Sequence, residues 1–140
     1  MFVQKWDFGP IGNATWRHFP EARQSIKRLV CDELDNAIYD DRQPEPAEQY
    51  EYFIRGAGPL LFARRVVGDL DPDLVWRFCL FCREMLDYSG PDPFGISYTF
   101  QMYFLDAVDD PASVRTLRGV DSELVDLVHA RYPGTWAEDD

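Results

Sequence analysis

From Pro20 onward, apolar residues recur at Ile26, Leu29, Val30, Leu34, Ala37 and Ile38, offsets of 3, 4, 8, 11 and 12 from the first. That is the period of an amphipathic helix, and Pro20 stands at its start, where a missing N–H costs nothing. Gln43-Pro44-Glu45-Pro46 interrupts the pattern. Tyr50, Phe53 and Ile54 then predict a short helix ended by Gly56-Ala57-Gly58-Pro59, with a third apolar helix from Leu60 to Val67. Asp71-Pro72 supplies an N-cap and a first-turn proline for a segment running to about Tyr88. Its apolar residues, among them Leu74, Val75, Trp76, Phe78, Leu80 and Phe81, cover almost the whole circumference, as a central helix requires.

Beyond the turn Ser89-Gly90-Pro91-Asp92-Pro93, the segment from about Phe94 to Val108 places Ile96, Phe100, Tyr103, Phe104 and Ala107 on one helical face. Tyr98, Met102 and Leu105 fall on a second face, and the β-branched and aromatic content between Ile96 and Phe104 leaves a strand as the alternative. Asp109-Asp110-Pro111 predicts a short helix to about Leu117. Asp121 or Ser122 then caps a last one through Tyr132, with Leu124, Leu127 and Val128 facing inward.

The two ends lack such a period. Residues 1–19 hold Phe2, Trp6, Phe8, Trp16 and Phe19, with Gly9-Pro10 and Gly12-Asn13 as breakers, and read as an irregular aromatic arm pinned to the core. Residues 133–140 read as a frayed acidic tail. There is no internal repeat, low-complexity tract or linker, so the expected architecture is all-α: one domain over 1–140, about six helices around a buried hairpin of 72–88 and 94–108.

Composition sharpens this picture. With 46% hydrophobic and 15% aromatic residues in 140, the chain can fill a core, so its net charge of −11 must be a surface property. No signal-peptide pattern and no apolar run near the length of a membrane span is present, so the cytosol is the expected compartment. The odd set Cys31, Cys79 and Cys82 then suits reduced thiols.

The charge is concentrated. Between Asp32 and Glu51, eight carboxylates (Asp32, Glu33, Asp35, Asp40, Asp41, Glu45, Glu48 and Glu51) stand against one base, Arg42, so the window carries seven of the eleven net negative charges. Such a surface favours a basic protein and repels nucleic acid and anionic membrane. On the helix from Pro20, moreover, Arg23, Lys27 and Arg28 precede the acids, the reverse of what the helix macrodipole favours. Two readings stay open: charge for solubility, and a docking face built from Asp32, Asp35, Asp40, Asp41, Glu45, Glu48 and Glu51.

Catalytic and metal signatures are not found. Cys79-Leu80-Phe81-Cys82 matches C-x-x-C, but both thiols fall about two turns inside an apolar helix rather than at an exposed N-terminus, which predicts core cysteines. His18 and His129 are the only histidines and stand in no Ser/His/Asp, Cys/His or H-E-x-x-H context. No calcium loop, di-iron pair or phosphate loop appears, so no cofactor and no metal is expected.

In size, charge and pattern the chain resembles the small, acidic, all-helical immunity proteins of bacterial polymorphic-toxin and contact-dependent inhibition systems. The resemblance lies in the stretch Leu74 to Leu86 (LVWRFCLFCREML), then Ile96 to Asp106 (ISYTFQMYFLD), followed by a short terminal helix. It implies a non-enzymatic inhibitor that binds a cognate toxin domain and blocks its active site or substrate path; the acidic surface suits a basic toxin, such as one that acts on nucleic acid. An adaptor for another basic protein, or a small helical ligand-binding protein or enzyme with a pocket lined by Tyr98, Gln101 and Tyr103, are the alternatives.

Overall fold

Seven α-helices carry the fold over residues 7–64 and 71–138, the part of the chain described by the computed structural model; the side chains of residues 63 and 64 are outside that description. They are α1 (Gly9–His18), α2 (Arg23–Tyr39), α3 (Gly58–Arg64), α4 (Pro72–Leu86), α5 (Pro93–Thr99), α6 (Pro111–Val120) and α7 (Ser122–Arg131). A 3-10 turn, Pro20–Ala22, joins α1 to α2. A π turn, Phe53–Ala57, leads into α3, and α5 continues through a π segment, Phe100–Leu105, into a 3-10 turn, Asp106–Val108. No strand occurs among the described residues, so the all-α architecture holds and the strand alternative for 96–104 falls.

The sequence carries these helices where capping is explicit. Asp71 accepts from the amides of Asp73 and Leu74 before α4, Asp110 from Ser113 before α6, and Asp121 from Leu124 before α7. Helix α4 is central, packing on α1, α6 and α7. Phe78, Phe81, Phe100 and Phe104 are fully or almost fully buried, with Phe81 and Phe104 stacked at 4.6 Å and Phe53 edge-on to Phe104 at 4.9 Å. The outer faces are open, however: Trp76 and Leu80 on α4, and Tyr98 and Met102 beyond it, are exposed. Two bidentate arginines tie the layers together, Arg77 to Glu21 at 2.7 and 2.8 Å and Arg83 to Asp121 at 2.6 and 2.7 Å.

Three expectations need correction. Residues 9–18 of the supposed irregular arm form α1, with Pro10 in its first turn. The glycines that read as breakers are close-approach residues. Gly9 has φ +81°, and a Cβ on Gly12 would lie 2.5 Å from the Phe8 side chain and 2.8 Å from the Tyr52 ring. Phe2 and Trp6 lie outside the described residues.

Gly56-Ala57-Gly58-Pro59 does not end a helix either; the helical run continues from 51 to 64. The wider π turn lets the Gly58 amide donate to the Phe53 carbonyl, five residues back, just before Pro59, which has no amide hydrogen to offer. The end of the predicted 60–67 helix, residues 65–67, lies outside the described residues.

The tail is docked, not frayed, as far as Glu138. Trp136 is fully buried, its indole Nε1 donating to the Leu105 carbonyl at 2.9 Å and its amide to Asp109 at 2.9 Å. Arg118 holds the Glu138 carboxylate. On α7, Leu127 is 41% exposed and Val125 takes the inward position instead.

Candidate protein-binding face

Helix α2 ends in a Schellman turn. The Arg42 amide donates to the Ala37 carbonyl at 3.0 Å and the Asp41 amide to Ile38 at 3.3 Å, with Asp41 itself at φ +51°. The turn sends residues 43–47 back along α2 as a strap. Glu33 fastens it: both oxygens accept from the Arg42 guanidinium, at 2.8 and 3.0 Å, and Oε2 also accepts the Glu45 amide at 2.6 Å. These bonds, Arg42 first, hold the Glu33 carboxyl down to about 2. A carboxylate depressed on folding stabilises above its ordinary range, near 4.5, and loses that contribution as pH falls toward about 2. The protection of the Glu45 amide against hydrogen exchange, relative to its intrinsic rate at each pH, is therefore expected to fall across that interval more than that of the α4 amides. A uniform response would detach the strap from Glu33.

The far end of the window is latched by Gln49. Its Oε1 accepts from the Ile11 and Gly12 amides at 2.8 and 3.2 Å, while Nε2 donates to the Phe8 carbonyl at 2.8 Å. A side chain from the acidic segment thus satisfies first-turn donors of α1, about 40 residues away in sequence. Gln49→Ala leaves those amides without their acceptor and should lower stability by about 1–3 kcal/mol in urea denaturation, whereas parent-like stability would show the latch to be idle.

The seven predicted residues lie along one connected region: the C-terminal half of α2, its Schellman turn, the returning chain as far as residue 48, and the first turn of the 51–64 run. Asp32 pairs with Arg55 at 3.3 Å, and Asp40 lies 3.6 Å from Arg42. Asp35, Asp41, Glu45, Glu48 and Glu51 have no base within ion-pair distance among the described residues. All but half-buried Glu51 are exposed. Leu34 lies on the same helix end, with Ile38 78% and Tyr39 91% exposed.

The reversed charge order of α2 has a partial structural cause. Arg23 and Lys27 lie over the Trp16 ring, 5.2 and 6.0 Å from its centroid, and Arg23 Nε donates to the Trp16 carbonyl. The bases hold α1, and Arg42 and Arg55 neutralise part of the acidic end. Sequence reasoning missed Gln49, Glu33 as the organiser, and Arg55 as a partner; Glu33 and Arg42 are nine residues apart, too far for any helical pairing rule.

The other candidates separate. Tyr98 is exposed, Gln101 donates to Thr135 at 3.3 Å, and Tyr103 stacks on Tyr50 at 5.8 Å, so these three do not converge on one pocket. Cys79 and Cys82 are fully buried, as expected, and burial pushes the Cys79 thiol up to about 12 and Cys82 well above its ordinary range. His18 contacts Glu84 at 3.0 Å, and His129 Nε2 donates to the Trp136 carbonyl at 2.7 Å. Among the described residues no three His, Cys, Asp or Glu side chains gather as metal ligands would, and no helix is long and apolar enough to cross a membrane. No family model matches the chain, and no curated protein or solved structure shows significant similarity to it, so its role has to be argued from the face just described.

Proposed function

We propose that this chain is a non-enzymatic inhibitor of the immunity-protein kind, neutralising a basic toxin domain through the face that carries Asp32, Asp35, Asp40, Asp41, Glu45, Glu48 and Glu51. The observation that supports this most is the set of five carboxylates without a counter-ion among the described residues, Asp35, Asp41, Glu45, Glu48 and Glu51, beside exposed Leu34, Ile38 and Tyr39. Exposed apolar side chains flanked by charge are the composition of an interface. A toxin that acts on nucleic acid needs a basic groove for phosphate, and an anionic surface can occupy it. Unpaired carboxylates also steer encounter, raising association toward about 10⁸ M⁻¹s⁻¹, which matters when a single toxin molecule is lethal. The small all-helical fold agrees with the resemblance of the 74–106 hairpin to immunity proteins.

The test is co-expression with the C-terminal domain encoded by the neighbouring reading frame of the source genome. Cells that make the toxin domain should survive only when this chain is made as well, and the purified pair should associate with a Kd below about 1 µM. Death at the rate of toxin alone, with no complex formed, would sink the reading. Binding without any rescue would instead favour an adaptor for a basic protein.

A further inference from the structure

A cavity of about 280 Å³ lies under the strap, between Val30 and Leu34 of α2 and Pro46 and Ala47 of the returning chain, with Tyr52 on its wall. That is just below the range of about 300–1,000 Å³ typical of small-molecule sites, and suits a single inserted side chain. Its walls are mostly apolar, but its ionisable residues are one-sided: Asp7, Glu33 and Glu45 line it, and among the described residues no base does. Tyr52 is only 2% exposed, its ring held against Phe8 and above Gly12, and its hydroxyl makes no hydrogen bond among the described residues while staying accessible to solvent. Burial, with the Glu51 and Asp7 charges, pushes Tyr52 up to about 12, so it stays neutral and able to accept as well as donate.

We propose that this cavity receives an arginine side chain of the basic partner, its methylene stem against Val30, Leu34 and Ala47 and its guanidinium at Glu45, Asp7 and the Tyr52 hydroxyl. The occupant has to bring donors and positive charge, because the site offers acceptors and negative charge. It also has to bring an apolar stem, because the walls are apolar. Arginine fits better than lysine: a guanidinium is the more weakly hydrated cation and presents a planar fork. The rim already accepts that fork from within, in the bidentate pair of Arg42 with Glu33. Glu33 is thereby occupied, whereas the Glu45 carboxylate and the second Asp7 oxygen accept no hydrogen bond among the described residues.

This proposal deepens the docking-face reading and rests on it for the partner, but the cavity is testable alone. The probe is n-propylguanidinium, titrated into the labelled protein and followed by amide NMR, beside n-butylammonium, guanidinium and n-butanol, with the ionic strength of every titration matched. Saturable shifts at Val30, Leu34, Ala47 and Tyr52 are expected with n-propylguanidinium, at a Kd on the order of 10 mM for so small a ligand. They should be about threefold weaker or absent with the other probes. Ala47→Trp should abolish them in a spectrum otherwise unchanged, with Val30→Phe as the second blocking variant if Ala47→Trp does not fold; Tyr52→Phe should weaken them. Equal shifts with guanidinium would reduce the effect to surface charge, and equal shifts with n-butanol to an apolar hollow. Stronger binding of n-butylammonium, no saturation, or binding that survives a folded blocking variant would likewise overturn the proposal. Failure here leaves the charge face to its own test. Success here with no toxin binding would leave the cavity and remove the inhibitor reading.

Discussion

Trp136→Ala is expected to lower the unfolding free energy by about 3–5 kcal/mol, as large a loss as any single truncation in this fold should give. The indole is fully buried and packs 6.4 Å from Phe78, so its removal leaves a cavity beside the central α4 helix. It also strands the Leu105 carbonyl that accepts from Nε1. Urea denaturation checks this directly, and Trp136→Phe, which keeps most of the volume but loses the donor, should fall between parent and alanine. A Trp136→Ala midpoint equal to the parent's would return the C-terminal segment to the status of a loose tail. The result bears on function as well, because Glu138, two residues on, is fixed by Arg118. It is thus no charge-matched mobile control for the acidic window.

Reversing Asp35 and Glu48 together to Lys is expected to leave stability within about 0.5 kcal/mol per site, since both are exposed and neither is paired among the described residues. Binding to the cognate basic domain should fall much further. Association should slow by at least about tenfold at low salt and lose most of its ionic-strength dependence. If either carboxylate becomes desolvated in the complex, dissociation should also accelerate, by an amount corresponding to about 2–5 kcal/mol. The matched control reverses Asp87 and Asp106, exposed acids outside the window with no ion pair among the described residues. It changes net charge equally but should alter association only slightly. Equal slowing by the two pairs would remove the localised face and leave only a net-charge effect.

Sequence by itself determined what depends on neighbours along the chain. The 3.6-residue period and the Asp-Pro caps marked α2, α4, α6 and α7 to within a few residues, and continuous apolar surroundings marked Cys79 and Cys82 as core thiols. It also marked which segment carries the excess acid. Tertiary structure decided what depends on partners distant in sequence. Gly9 and Gly12 read as breakers because the Gln49 amide and Tyr52 ring that need their missing side chains lie about 40 residues away. The tail read as frayed because what holds it, Asp109, the Leu105 carbonyl and Arg118, belongs to other elements. Which acids keep their charge free was likewise hidden. Arg42 and Arg55 neutralise Glu33 and Asp32 across separations of 9 and 23 residues, and pairing at such range follows from how helices dock, which no local period encodes.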